Sequence, residues 1–179
     1  MGMRILIAFA GKSGGTRAMC ELLATHLPHH EVVLSSLTEQ AISPEGFDYI
    51  VFGGAVRMGK LHRAARAYLA AHGAALAGKP HALFLCCAFA EQFENYVEML
   101  FPKAVLESAD EAVYFGGELN VSRQKGLDKL LARMMRNAIL ESEEDEAMLP
   151  GLLPEHVRML ADRLRQLSLP SAIEKVKKL

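Results

Sequence analysis

The chain is 179 residues long, 51% hydrophobic and 23% charged, enough for one compact domain with its own core and not the composition of a disordered chain. Its formal net charge is −1 with an isoelectric point near 6.7, so the basic excess of a general nucleic-acid binder is missing and no nucleic-acid partner is expected. No apolar run reaches the ~20 residues that cross a bilayer, and the first strand opens too early to leave room for a signal peptide, so a cytoplasmic protein is the expectation.

Residues 3–9 (MRILIAF) form an apolar run with little alternation, the pattern of a strand buried on both faces. A glycine-rich turn follows, then a helix over 16–27 with Met19, Leu22, Leu23 and Leu27 on one face. Residues 31–34 read as a weaker second strand. Residues 48–53 (DYIVFG) read as a buried third strand that ends in Gly53-Gly54. A helical period runs over 61–76 and stops at Gly78-Lys79-Pro80. Residues 81–87 predict a fourth strand, 91–100 a helix ended by Pro102, and 111–115 a fifth strand before Gly116-Gly117. Helices are predicted over 126–140 and 154–167, separated by an acidic run at 141–146 and a Pro- and Gly-rich stretch at 148–154.

Strand and helix alternate with few long loops, which predicts a mainly parallel sheet covered on both faces. The expectation is a doubly wound α/β domain of five parallel strands in the order 2-1-3-4-5, occupying residues 1–169 and followed by a tail at 170–179. Three cysteines, Cys20, Cys86 and Cys87, make no disulfide framework. The adjacent pair lacks the spacing of a zinc knuckle or a CxxC motif. All three are expected to fill core, and no metal site is predicted.

Chemistry is concentrated in three loops. Gly11, Lys12, Ser13, Gly14, Gly15, Thr16 and Arg17 join a strand to a helix. Glycines there let consecutive N–H groups point inward at a helix N-terminus, a cradle for phosphate. Ser13 and Thr16 offer hydroxyl donors, and Lys12 or Arg17 offers positive charge. A Walker A loop is excluded, because the position five residues before Gly11 holds Leu6. The glycine spacing also departs from GxGxxG. An ordinary glycine-rich turn stays an alternative. The second loop, Gly54, Ala55, Val56, Arg57, Met58, Gly59 and Lys60, follows strand three, and Ala88 and Phe89 follow strand four. In the order 2-1-3-4-5 these loops converge at the switch point between strands one and three.

Residues 3–17 (MRILIAFAGKSGGTR), 47–69 (FDYIVFGGAVRMGKLHRAARAYL) and 112–140 (AVYFGGELNVSRQKGLDKLLARMMRNAIL) together resemble the flavodoxin-like branch that contains menaquinone-dependent protoporphyrinogen dehydrogenases. The most specific elements are G-A-V-R-M-G-K-L-H and F-G-G-E-L-N. The resemblance implies a flavodoxin-like fold and a flavin mononucleotide (FMN), its phosphate held by residues 12–17. It implies an isoalloxazine ring against residues 54–60 and the loop after Cys87. It also implies an FMN-dependent oxidoreductase, with a quinone acceptor and a porphyrinogen substrate among the options. Ala10 and Gly11 stand where hydroxyl residues are usual in that branch, and the chain has no Trp.

Two alternatives stay open at this level: a one-electron carrier acting with a redox partner, and a flavin-free interaction module. No catalytic residue is named. His62, just beyond the second loop, is a candidate proton relay set against a plain surface histidine; His29-His30 is read as a solvated turn. Over 127–140, Leu127, Leu130, Leu131, Met134, Met135 and Ala138 share a face with Lys129, Arg133 and Arg136 opposite. That face either packs on the domain, pairs in a homodimer, or lies at a membrane surface.

Overall fold

The computed structural model describes residues 2–12, 14–117 and 151–167. Strand β1 (Arg4–Ala10) leads into helix α1 (Gly15–Thr25), then β2 (Glu31–Ser36) and β3 (Tyr49–Arg57). A two-residue strand β4 (Lys60–Leu61) precedes α2 (Arg63–Ala77) and β5 (His81–Cys86). One 3-10 turn (Ala90–Gln92), α3 (Phe93–Leu100), α4 (Lys103–Ser108), β6 (Glu111–Tyr114) and α5 (Pro154–Leu167) follow. The predicted helix over 126–140, the acidic run and the tail at 170–179 lie outside the described residues.

The long strands pair in parallel in the order β2-β1-β3-β5-β6, and β4 pairs antiparallel with β3 off this path. With β4 set aside, this is the predicted order 2-1-3-4-5, a flavodoxin-like α/β sheet. Strands in the middle are buried on both sides, so their side chains alternate between two cores rather than between core and water. Ile5, Ile7, Phe9, Val51 and Phe84 face α1 and α5, whereas Leu6, Ala8, Ile50, Phe52 and Leu83 face α2, α3 and α4. Each fully buried large apolar side chain of this kind contributes roughly 1.5–3 kcal/mol of transfer free energy. All three cysteines are free and buried, as core residues.

Three elements depart from the sequence reading. Strand β2 runs on through Ser36, where the Ser35 hydroxyl donates to the Gln40 carbonyl and accepts from the Ile42 amide, so polar residues finish the strand. Helix α4 was not anticipated; Pro102 starts it, since its fixed φ suits the entry to a helix as well as the end of one. Strand β3 continues to Arg57 instead of ending at Gly53, for a reason that belongs to the site.

Candidate functional site

The crossover reverses between β1 and β3, and the loops at their C-terminal ends meet there. Ala10 pairs with Gly54 in register. After Ala10 the chain turns through Gly11, Lys12 and Gly14, the last in the left-handed region at φ 86 as the N-cap of α1. No side chain caps the helix, and its first bond runs from the Ala18 amide to the Gly14 carbonyl at 3.0 Å. The amides of Gly15, Thr16 and Arg17 therefore precede the intrahelical ladder and face the loop. No acidic residue occupies the first turn. An unshielded helix start of this kind suits an anion. Ser13 lies outside the described residues.

Two of the predicted phosphate-loop side chains are engaged elsewhere. Thr16 is only 4% exposed; it packs under Gly11, where a Cβ would come within 2.6 Å of the Thr16 hydroxyl, and bonds the Cys86 thiol. Arg17 forms an ion pair with Glu39, lies 4.0 Å from Glu21, and stands over the Phe9 ring at 5.4 Å. Arg17 thus ties α1 to the loop after β2. The positive charge of Lys12 acts on His62.

Residues 54–60 are a β-hairpin rather than an irregular loop. Val56 pairs with Leu61 and Arg57 with Lys60, across a two-residue turn at Met58 (φ 49) and Gly59 (φ 69). Two successive positive φ values define the tight turn whose twist matches antiparallel strands. The glycine pair at 53–54 reads as a turn signal, but sheet packing requires it. A Cβ at Gly53 would fall 2.0 Å from the Phe84 carbonyl oxygen, and one at Gly54 2.6 Å from the Ala10 oxygen. The His62 amide donates to the Ala55 carbonyl at 3.0 Å, and its Nδ1 accepts from the Ala64 amide at 3.2 Å, capping α2. His62 is thus the N-cap of α2.

The third loop begins at Cys87, whose thiol donates to the Phe89 carbonyl at 3.6 Å. Ala88 and Phe89 are half-buried. Three residues outside the sequence reading organise this end. The Tyr114 hydroxyl donates to the Cys87 carbonyl at 2.9 Å, and its ring lies 5.5 Å from that of Phe93. His156 on α5 hydrogen-bonds the Tyr114 carbonyl through Nδ1 at 2.7 Å. Tyr96 of α3 abuts the hairpin tip, 4.0 Å from where a Gly59 Cβ would stand. Only the position of Tyr114 just before Gly116-Gly117 hints at this; the long-range pairing is invisible in sequence.

The site is electropositive on the hairpin side. Partial burial holds the His62 imidazole below its ordinary range, and the positive charges of Lys12 and Arg57 push the same way. The cysteines are inert thiols: burial lifts Cys86 to about 12, against the Thr16 hydroxyl bond, and Cys87 to about 11. No cluster suited to a metal ion occurs among the described residues, and none of their helices is long and apolar enough to cross a membrane.

The chain's sequence matches the flavodoxin domain family over residues 6–146. No curated protein matches it. Among solved structures, a WrbA-like flavodoxin from Agrobacterium tumefaciens is similar at TM-score 0.53 and 16% identity, covering 92% of this chain and 99% of that one. A short-chain flavodoxin associated with a bacterial microcompartment gives 0.50 and 11%, covering 79% and 99%. Flavodoxin 2 from Bacillus cereus is 24% identical, with a TM-score of 0.49 and coverage of 78% and 99%. At these identities the structures speak to fold, while the family match spans the β1–α1 cradle, the hairpin and the loop after β5. The chain belongs to the flavodoxin domain family.

Proposed function

We propose that this protein is an FMN-dependent oxidoreductase of the protoporphyrinogen dehydrogenase-like kind, with a quinone or another small molecule as acceptor. The observation that carries the reading is the basic hairpin: Arg57 and Lys60 are paired across the Met58-Gly59 turn, and the charges of Lys12 and Arg57 both act on His62. A cationic rim beside a flavin suits an anionic small-molecule substrate.

In this reading the amides at the start of α1 and the Lys12 ammonium hold the phosphate, with Gly11, Ser13, Gly14 and Gly15 supplying the tight turn. Thr16 supports the loop from beneath, and Arg17 braces it through Glu39. Backbone groups of Gly54–Lys60 and the loop of Ala88 and Phe89 would hold the ring. Arg57 and Lys60 orient anionic groups of the substrate. Bound FMN supplies the capacity to exchange hydride or single electrons, and the protein contributes position and electrostatics.

Residues 127–140 would make a peripheral contact with the inner face of a membrane, a cytoplasmic location being part of the proposal. The same face would serve a homodimer if the membrane contact fails. The test is an absorption spectrum of the purified protein after adding FMN and removing the excess, followed by turnover assays. Retained flavin with quinone-dependent turnover of a porphyrinogen supports the reading. Retained flavin that only exchanges electrons with a protein partner favours a one-electron carrier, and no retained flavin favours a flavin-free interaction module.

A further inference from the structure

A groove of about 540 Å³ runs along α2 on the face away from α1, between that helix and the loop that follows β2. It exists because α2 presents Ala64, Ala67 and Ala71 where longer side chains would fill the space. Its floor is rigid: Tyr68 is 3% exposed, stacks on Phe52 at 5.4 Å, and donates its hydroxyl to the Ile42 carbonyl at 2.9 Å. The His72 ring lies 4.7 Å from that of Tyr68, closing the far end with a flat polar group.

The charge on the groove is one-sided. His62 and Arg63 stand at the end nearest the hairpin, and no acidic residue lines the groove. Glu39, on the neighbouring loop, is already paired with Arg17. The positive charges of Lys12 and Arg57 also act on His62 at this end. The volume falls within the range of small-molecule sites, and an apolar body with a few fixed polar groups is their usual make-up.

We propose that this groove is a second small-molecule site, binding an organic anion with a flat apolar body. The carboxylate or phosphate head sits at Arg63 and His62, and the body lies on Tyr68 along the alanine wall. The site does not require the flavin reading: His62 is the one lining residue that borders the hairpin, and none belongs to the cradle, the hairpin turn or the loop after β5.

The test is calorimetric titration of the full chain with naphthoate and with the neutral naphthylmethanol of the same shape. Naphthoate is expected to bind at least tenfold tighter than the alcohol. Arg63→Glu should remove that preference and leave alcohol binding unchanged. Ala67→Trp should fill the groove and abolish both; residue 67 is exposed, so the fold should survive, and Ala71→Leu provides a second filling variant. The flavin spectrum of each sample is read alongside, so that loss of FMN is not mistaken for loss of the groove. Naphthoate that fails to bind, or binds equally to Arg63→Glu and Ala67→Trp, overturns the proposal. Sensitivity to Ala67→Trp without sensitivity to Arg63→Glu overturns the assignment of an anion.

Discussion

The Gly117 amide donates to the Gly151 carbonyl at 3.1 Å, and a Cβ at Gly117 would fall 2.1 Å from the Cys87 carbonyl oxygen. One backbone segment is thus pressed against both the start of the third loop and the approach to α5. Gly116, bridged to Leu152, adds a positive φ of 80 at the same point. The Cys87 carbonyl already accepts the Tyr114 hydroxyl, so displacing it disturbs that bond as well. Gly117→Ala is expected to lower stability by about 1–3 kcal/mol, within the range for overpacking against backbone. Because the loop carrying Ala88 and Phe89 moves with Cys87, FMN retention should also fall. Urea denaturation and a flavin fluorescence titration on one preparation read both effects; unchanged FMN affinity would detach this segment from the site.

Gly53 makes a sharper claim about the sheet. It sits in register with Phe9 on one side and Phe84 on the other, both of them core residues. A methyl group there would lie 2.0 Å from the Phe84 carbonyl oxygen and 2.7 Å from its ring. Neither neighbour has a free direction of retreat, since interiors are close-packed. Gly53→Ala should cost about 3 kcal/mol or more, against the fraction of a kcal/mol expected if residues 53–54 were only a turn. The midpoint of urea unfolding decides between them.

That contrast shows where sequence reading stops. The three central strands β1, β3 and β5 were legible because a strand covered on both faces is continuously apolar, as the core strand residues Ile5, Leu6 and Ile7 illustrate, and the alternation with helices supplied the order. The hairpin was not legible. Gly53 and Gly54 look like a turn, but Phe84 and Ala10 of other strands leave no room for side chains there, so β3 runs on through them and turns only at Met58-Gly59. His62 was noticed for its titratable ring, but its measurable contacts are those of a helix cap. Arg17 and Lys12 look equivalent in the string of letters, and only the position of Glu39, far along the chain, separates them.

This separation leads to a paired experiment on FMN affinity. Lys12 lies in the turn between β1 and α1, where its positive charge acts on His62, and the Arg17 guanidinium is held by Glu39 over the Phe9 ring. A charged hydrogen bond to phosphate contributes roughly 1.5–3 kcal/mol. Lys12→Gln should therefore weaken FMN binding at least tenfold, and Arg17→Gln by no more than threefold. Both side chains of the Arg17–Glu39 pair are well exposed, so losing it should change stability by less than about 1 kcal/mol. Equal losses of affinity for the two variants would show that Arg17 leaves Glu39 to reach the phosphate.

The pH dependence of stability follows from His62 and His30. Both imidazoles are held below their ordinary value of 6.5, His62 by burial with Lys12 and Arg57, and His30 by burial with His29 and the N-terminus. The unfolded chain therefore binds more protons than the folded one just below that value. Linkage then makes stability rise with pH through this window. The full contribution is present above about pH 6.5 and is lost progressively as the pH falls toward the depressed folded values. His62→Asn keeps a side-chain oxygen at the N-cap of α2 but removes the titration. The variant should match the parent above about pH 7 and lose less stability than the parent as the pH falls below about 6.5. A decline identical to that of the parent would place the titration elsewhere, and a His30→Asn series over the same range would show whether the loss belongs to the contact with the Met3 amide at 3.1 Å.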